Sequence, residues 1–240
     1  METTTTRRKV LLEYNMENVT HYLDFANHHQ DATIGQIKEL CQKVVEYGFH
    51  AAFVNPCYVK LAREELGPIG VVGTAVSFPL GQDTKDTKIA SCVEAVQDGA
   101  DELDLCMNVG LFKSGKEDEV LVEMKEIVSR VKELSSKAIV KFIIETELLT
   151  TEQIKKASEL VVESGADFVK TNSGMGKRGP TVDEVELINK VVGGRAKIKV
   201  AGGIDTYEKA IALIRAGADR IGTSHAIEII SGNDNEIEPG

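Results

Sequence analysis

The tripeptide Gly-Ala-Asp occurs three times, each time directly ahead of a short apolar run. It stands at 99–101 before Glu102-Leu103-Asp104-Leu105, at 165–167 before Phe168-Val169-Lys170-Thr171, and at 217–219 before Arg220-Ile221-Gly222-Thr223. Each copy closes a stretch with helical spacing of apolar residues and opens a strand-like one. A helix-to-strand turn that recurs in this way marks a chain assembled from βα units.

The same rhythm fills the rest of the chain. Thr33 and Gln36 stand at capping-box spacing, Ile34, Ile37, Leu40, Cys41, Val44 and Val45 form one apolar helix face, and Gly48 ends that helix. The apolar run 51–54 follows, then Asn55-Pro56. A strand is expected over 69–78, a helix over 84–98, a strand over 102–109, a helix over 118–134 and a strand over 138–145. Thr150 with Gln153 opens the next helix, which stops at Gly165. Strand 168–172 leads into the glycine-rich loop SGMGKRGPT, and Thr181 with Glu184 caps a further helix. Strand 197–201 ends on Gly202-Gly203, and Asp205 with Glu208 is read as the cap of the helix closing at Gly217. Strand 220–223 and a short helix complete seven clear units, and an eighth strand is placed over 20–25.

Eight strands separated by helices pair in parallel through right-handed crossovers. A closed (β/α)₈ barrel, the TIM-type α/β fold, suits 240 residues in a single domain. It fits better than an open sheet, because the units run the whole length without a break in composition. No Gly-x-Gly-x-x-Gly follows the first strand either, as a dinucleotide fold would require. The barrel is assigned to 20–230, a tail with a short helix to 1–19, and a disordered or loosely docked tail to 231–240.

Composition excludes several function classes. The formal net charge is −10, and the only basic cluster at the start, Arg7-Arg8-Lys9, adjoins a threonine run and reads as a solvated tail. A nucleic-acid partner is therefore not expected. No apolar stretch approaches a membrane span, and the N-terminus lacks the apolar core of a signal peptide, so a cytoplasmic location is expected. Cys41, Cys57, Cys92 and Cys106 form neither a Cys-x-x-Cys pair nor a zinc-ligand pattern with histidine, and they read as buried free thiols.

In a barrel of this kind chemistry sits at the C-terminal ends of the strands. Three polar residues near such ends interrupt apolar runs: Asp104, Lys170 and Lys199. A buried charge is costly unless paired. A structural ion bridge explains any one of these residues, but the three together on separate strands suit imine chemistry. A lysine amine attacks a carbonyl only when unprotonated, and a second ammonium together with desolvation favours that form. Lys170 is then the nucleophile, Lys199 its activator and Asp104 a carrier of protons. The glycines at 174, 176, 179, 202, 203 and 222, together with Ser224, provide turns and a candidate cradle for phosphate.

With these residues placed, the chain resembles deoxyribose-phosphate aldolase from about Leu23 to about Ile230. The matching segments are DAT (31–33), KELC (38–41), YGF (47–49), FVNP (53–56), FPLG (78–81), GADELDL (99–105), IIETELLT (143–150), GADFVKT (165–171), KVAGGI (199–204) and AGADRIGTS (216–224). The resemblance implies reversible condensation of acetaldehyde with D-glyceraldehyde 3-phosphate to 2-deoxy-D-ribose 5-phosphate, without metal or cofactor. It implies Lys170 as the Schiff-base residue, Lys199 as its activator and Asp104 as the proton relay. The substrate-binding set expected with them is Asp24, Thr171, Ser173, Gly174, Gly202, Gly203, Gly222 and Ser224. Small aldehydes and sugar phosphates are the expected partners, with self-association as a homodimer.

The chain also departs from that family. The first strand usually continues Asp-x-Thr-Leu, and here it reads Asp24-Phe25-Ala26-Asn27-His28-His29. An arginine that often follows Gly-Gly-Ile is Asp205, a second serine after Ser224 is His225, and the C-terminal tyrosine of some members is missing from the tail. An aspartate in place of arginine opposes phosphate binding, with Lys177 and Arg178 as candidate compensators. Two further readings stay open: the same lysine chemistry on a different, unphosphorylated acceptor, and a non-catalytic sugar-phosphate-binding barrel. His28 and His29 are read as an exposed loop pair, with a substrate contact as the competing reading.

Overall fold

The structure is a computed structural model and describes residues 16–232. Its eight parallel strands close into one barrel in chain order: β1 (Leu23–Asn27), β2 (Ala51–Val54), β3 (Val71–Val76), β4 (Glu102–Cys106), β5 (Ile139–Ile143), β6 (Phe168–Lys170), β7 (Lys197–Ala201) and β8 (Arg220–Thr223). β1 pairs with both β2 and β8, so no strand edge is left open. Helices pack around the outside, and an apolar layer between helices and strands includes Ile37, Leu103, Leu105, Ile127, Val140, Val169, Ile188 and Ile221, each at most 1% exposed.

The repeated Gly-Ala-Asp has a common structural purpose. The glycines 99, 165 and 217 have φ of 105°, 80° and 120°, which a side chain would strain. The alanine after each is buried. Each aspartate then pins its strand to the previous one: Asp101 Oδ2 accepts from Val72 N at 2.9 Å, Asp167 Oδ2 from Val140 N at 2.8 Å, and Asp219 Oδ2 from Ile198 N at 2.9 Å. The echo in the sequence is thus a clasp at the bottom of the barrel that sets strand register.

The capping boxes at Thr33–Gln36, Thr150–Gln153 and Thr181–Glu184 all form with both halves present. The helix at Tyr207–Ala216 is different. Its cap is Thr206, whose side chain accepts from Lys209 N, while Asp205 turns its carboxylate to Lys209 Nζ at 2.6 Å. The expected first strand also shifts. Residues Met16–Tyr22 form a 3-10 helix and pairing begins at Leu23, where the register Asp24↔Ala51 and Asp24↔Gly222 fixes β1. β3 and β5 are shorter than expected because the chain leaves them through left-handed residues, Ser77 at φ 53° and Glu145 at φ 55°.

Two short helices were not anticipated. Val59–Leu66 buries Val59, Ala62 and Leu66 at helical spacing. Val109–Lys113 is capped by Asn108, which accepts from Leu111 N at 3.0 Å. On the helix Ile34–Tyr47 the buried face is Ile37, Leu40, Cys41 and Val44, whereas Ile34 and Val45 are exposed. Cys57, next to Pro56 in a 3-10 turn beyond β2, is exposed and not buried like the other three cysteines. The final helix, Ala226–Gly232, extends two residues into the segment assigned to the tail; residues 1–15 and 233–240 lie outside the described part. No helix among the described residues is long and apolar enough to cross a membrane.

Candidate active site

Strand alternation sends one set of side chains into the barrel. Here that set is charged. Register places Asp104 beside Lys141, Lys170 beside Lys199, and Lys199 beside Arg220 on neighbouring strands. The result is a buried network of three carboxylates and four cations around Asp104.

Lys141 Nζ donates to Glu102 Oε2 at 2.6 Å and to Asp104 Oδ1 at 3.0 Å. Lys170 Nζ donates to Asp104 Oδ2 at 2.8 Å, and Lys199 Nζ lies 2.8 Å from that same oxygen. Lys199 Nζ also lies 2.7 Å from Asp24 Oδ2, a charge contact that lacks hydrogen-bond geometry. Arg220 Nη1 closes the ring, 3.1 Å from Asp24 Oδ1 and 3.6 Å from Glu102 Oε1. His50 Nε2 touches Glu102 Oε1 at 2.9 Å.

Beneath the lysines lies the ring of Phe53. Lys199 Nζ is 3.4 Å and Lys141 Nζ 4.8 Å from its centroid, so the ring face offers both ammoniums a cation–π contact. Gly73 makes room for that ring, since a Cβ there would fall 2.2 Å from Phe53 Cζ. Gly222 does the same for Lys199, whose Cε would be 3.1 Å from a Cβ at 222.

The charges set one another's protonation. Burial opposes the charged form of Asp104, but the ammoniums of Lys141, Lys170 and Lys199 outweigh it and hold the carboxyl well below the usual range. Burial likewise opposes the Lys141 ammonium, and Asp104 and Glu102 more than offset it and raise its pKa. For Lys199 burial wins over the pull of Asp104 and Asp24, and its pKa is lowered. Burial raises that of Asp24, against the opposing effect of Lys199.

Above the network a cavity of about 310 Å³ opens at the C-terminal ends of the strands. Asp104, Lys170 and Lys199 line it together with Ser173, Gly174, Gly202, Gly203, Gly222 and Ser224. Two expected residues do not line it. Asp24 sits below, against Lys199 and Arg220. The Thr171 hydroxyl accepts from Ala201 N at 3.3 Å and ties β6 to β7.

The loops after β6 and β7 meet backbone to backbone. A Cβ on Gly179 would fall 1.9 Å from Gly202 O, and one on Gly202 would fall 3.3 Å from Gly174 Cα. Glu147 Oε2 accepts from Lys177 N at 2.8 Å and Arg178 N at 2.9 Å, holding the first of these loops. Neither Lys177 nor Arg178 lines the cavity, and the Arg178 guanidinium is bound to Glu184 at 2.6 and 3.0 Å. Asp205 and His225 do line it.

The histidine pair divides. Both line the cavity, but His29 is exposed, whereas His28 is half-buried and packs its ring 5.1 Å from that of Phe78. Burial lowers the His28 pKa to about 4, aided by the charge of Lys170. The unfolded imidazole takes up a proton below about pH 6.5 while the folded one does not until about pH 4. Folding stability present above pH 6.5 is therefore lost as pH falls through this window. Urea unfolding at pH 7 and pH 4.5 should show the wild type losing about 2 kcal/mol more than His28→Leu.

Strand logic alone missed Glu102, Lys141 and Arg220 as members of the network. Asp24, His50 and Glu102 bring three ligand atoms within 4.8 Å of one another. That donor set does not suit a metal ion, because Lys141, Lys199 and Arg220 already neutralise its carboxylates.

Residues 18–232 match the profile of the DeoC/LacD family aldolases. The chain is 45% identical over 221 residues to a deoxyribose-phosphate aldolase of Thermococcus gammatolerans, covering 91% of this chain and 97% of that protein. It is 44% identical over 219 residues to one of Caldanaerobacter subterraneus subsp. tengcongensis, covering 91% and 94%. Among solved structures, the deoxyribose phosphate aldolase of Aeropyrum pernix, described as a unique tetramer, superposes with a TM-score of 0.86 at 26% identity, covering 98% of this chain and 100% of that one. The extent of these matches, on a barrel whose inner strands gather three lysines on one aspartate, shows that the chain belongs to the DeoC/LacD family of aldolases.

Proposed function

We propose that the chain is a class I aldolase that reversibly cleaves 2-deoxy-D-ribose 5-phosphate to acetaldehyde and D-glyceraldehyde 3-phosphate, through a Schiff base on Lys170. The observation that carries the site assignment is the position of Lys170 in the network. Alone of the four cations it has a single carboxylate contact, and it lines the cavity. Four cations against three carboxylates leave the buried network one positive charge over balance.

In the cleavage direction the Lys170 amine adds to the C1 carbonyl of the open-chain sugar and the carbinolamine loses water to give an iminium. The C2–C3 bond then breaks. Its electron pair is taken up as an enamine, and the proton of the C3 hydroxyl leaves as that carbon becomes the aldehyde of the first product. Protonation of the enamine and hydrolysis of the resulting imine release acetaldehyde and restore Lys170. Asp104 and Lys199 are the groups placed to carry these protons, since both nitrogens share Asp104 Oδ2. Ser173, Gly174, Gly202, Gly203, Gly222 and Ser224 form the wall that would hold the rest of the substrate. No metal or cofactor enters the scheme. Asp24 acts from below, as the second counter-ion of Lys199, and Thr171 positions β7.

Incubation with acetaldehyde and sodium borohydride tests the assignment. Peptide mass spectrometry is expected to find one ethyl adduct, on Lys170. Adducts scattered over surface lysines, or none, would remove the Schiff-base reading.

A second reading has its own observation: Asp205 and His225 line the cavity and, among the described residues, no arginine does. It takes an unphosphorylated acceptor and expects kcat/KM for 2-deoxyribose close to that for its 5-phosphate. Self-association as a homodimer and a cytoplasmic setting belong to the same proposal, and sedimentation of the purified protein checks the first.

A further inference from the structure

Lys170, Lys199 and Asp104 account for bond making and breaking, but nothing in them selects the aldehyde partner. His28 is among the cavity residues they leave unused. His28 lies on the loop after β1, outside the charged network, and its ring is held from two sides. Phe78 packs against it with ring centroids 5.1 Å apart, and its Nδ1 lies 3.3 Å from Asn55 Oδ1.

The orientation of Asn55 fixes which ring nitrogen carries the proton. Its Nδ2 donates to His29 O at 3.4 Å, so its Oδ1 is the atom turned to His28. A carbonyl oxygen only accepts, so Nδ1 of His28 is the N–H nitrogen and Nε2 of the neutral ring keeps its lone pair. Among the described residues Nε2 has no hydrogen-bond partner. The ring lines the same cavity as Lys170, and the lowered His28 pKa keeps it neutral at neutral pH. A fixed, uncharged acceptor beside a nucleophilic lysine suits a hydroxyl group and offers nothing to an anion.

We propose that His28 is a specificity-determining residue, whose Nε2 accepts a hydrogen bond from the hydroxyl next to the aldehyde carbon of the acceptor, with Asn55 as its positioning residue. The substrate class selected is the 2-hydroxyaldehydes. This rests on the Schiff-base reading of Lys170. A site built to satisfy a hydroxyl discriminates against an analogue that lacks it, because its own buried acceptor is left unpaired.

The test uses an isosteric pair of acceptors, glycolaldehyde and propanal, each added to acetaldehyde by the purified enzyme. The wild type is expected to favour glycolaldehyde in kcat/KM. In His28→Leu that preference should shrink by about 10- to 100-fold. His28→Gln, which can present an amide oxygen, should restore part of it, and Asn55→Ala should lose part of it. A preference that stays unchanged in His28→Leu, or both rates falling in step, would overturn the proposal. Borohydride trapping on the wild type is run alongside. An adduct on Lys170 with an unmoved preference sinks the role of His28 alone, whereas no adduct takes down both readings.

Discussion

Lys170→Ala is expected to lower kcat by on the order of 10⁴-fold or more and to abolish the borohydride adduct, without lowering the melting temperature. The rate loss follows because no other nitrogen can replace it. Lys199 is held between Asp24 and Asp104, and Lys141 between Glu102 and Asp104. The stability result is the less obvious half. Deleting a buried charge usually destabilises, because its partner is stranded. Here Asp104 keeps Lys141 and Lys199 as partners, and removing the fourth cation leaves three against three carboxylates. Thermal unfolding of the variant beside the wild type measures the second half. A marked fall in melting temperature would show that the excess charge is compensated elsewhere.

Asp104→Leu should have the opposite signature. Its two oxygens contact three ammoniums. Without them Lys141, Lys170 and Lys199 face one another in a closely packed interior. A cost of about 3 to 5 kcal/mol is expected, and about 10 °C in melting temperature for a chain of this size. Asp104→Asn keeps the shape but not the charge and should fall between leucine and wild type. Activity should be lost in both, since the relay needs a carboxylate. A variant at 104 that retained the wild-type melting temperature would mean that the barrel interior admits water or counter-ions that the closed packing excludes.

The fold was legible because its signals are repeated. Strand-start clasps at Asp101, Asp167 and Asp219, and three complete capping boxes, state the βα unit again and again. The site was legible where an ion interrupts an apolar run near a strand end, as at Asp104, Lys170 and Lys199. Lys141 has the same signature between Val140 and Phe142, but it lies mid-strand, a layer expected to be apolar. Glu102 and Arg220 begin their strands and look like solvent-facing residues until closure of the barrel turns them inward. Loops carry no period at all. So His28 and His29, adjacent and chemically identical, could be told apart only by the packing of Phe78 and Asn55. Asp205 looked like a helix cap for a related reason: the cap belongs to whichever side chain meets the free N–H, and Thr206 is one residue nearer.

The interlocked glycines have a consequence for how such an enzyme can change. Gly174 and Gly179 belong to the loop after β6 and Gly202 to the loop after β7, and no side chain fits between Gly179 and Gly202. The two loops are mated surfaces, like the halves of a mould. A substitution that reshapes one has no room to act unless the other moves with it. Variation in substrate range should therefore arise by exchanging the two loops as a cassette, or from the first-strand loop, which stands outside the joint and can drift alone.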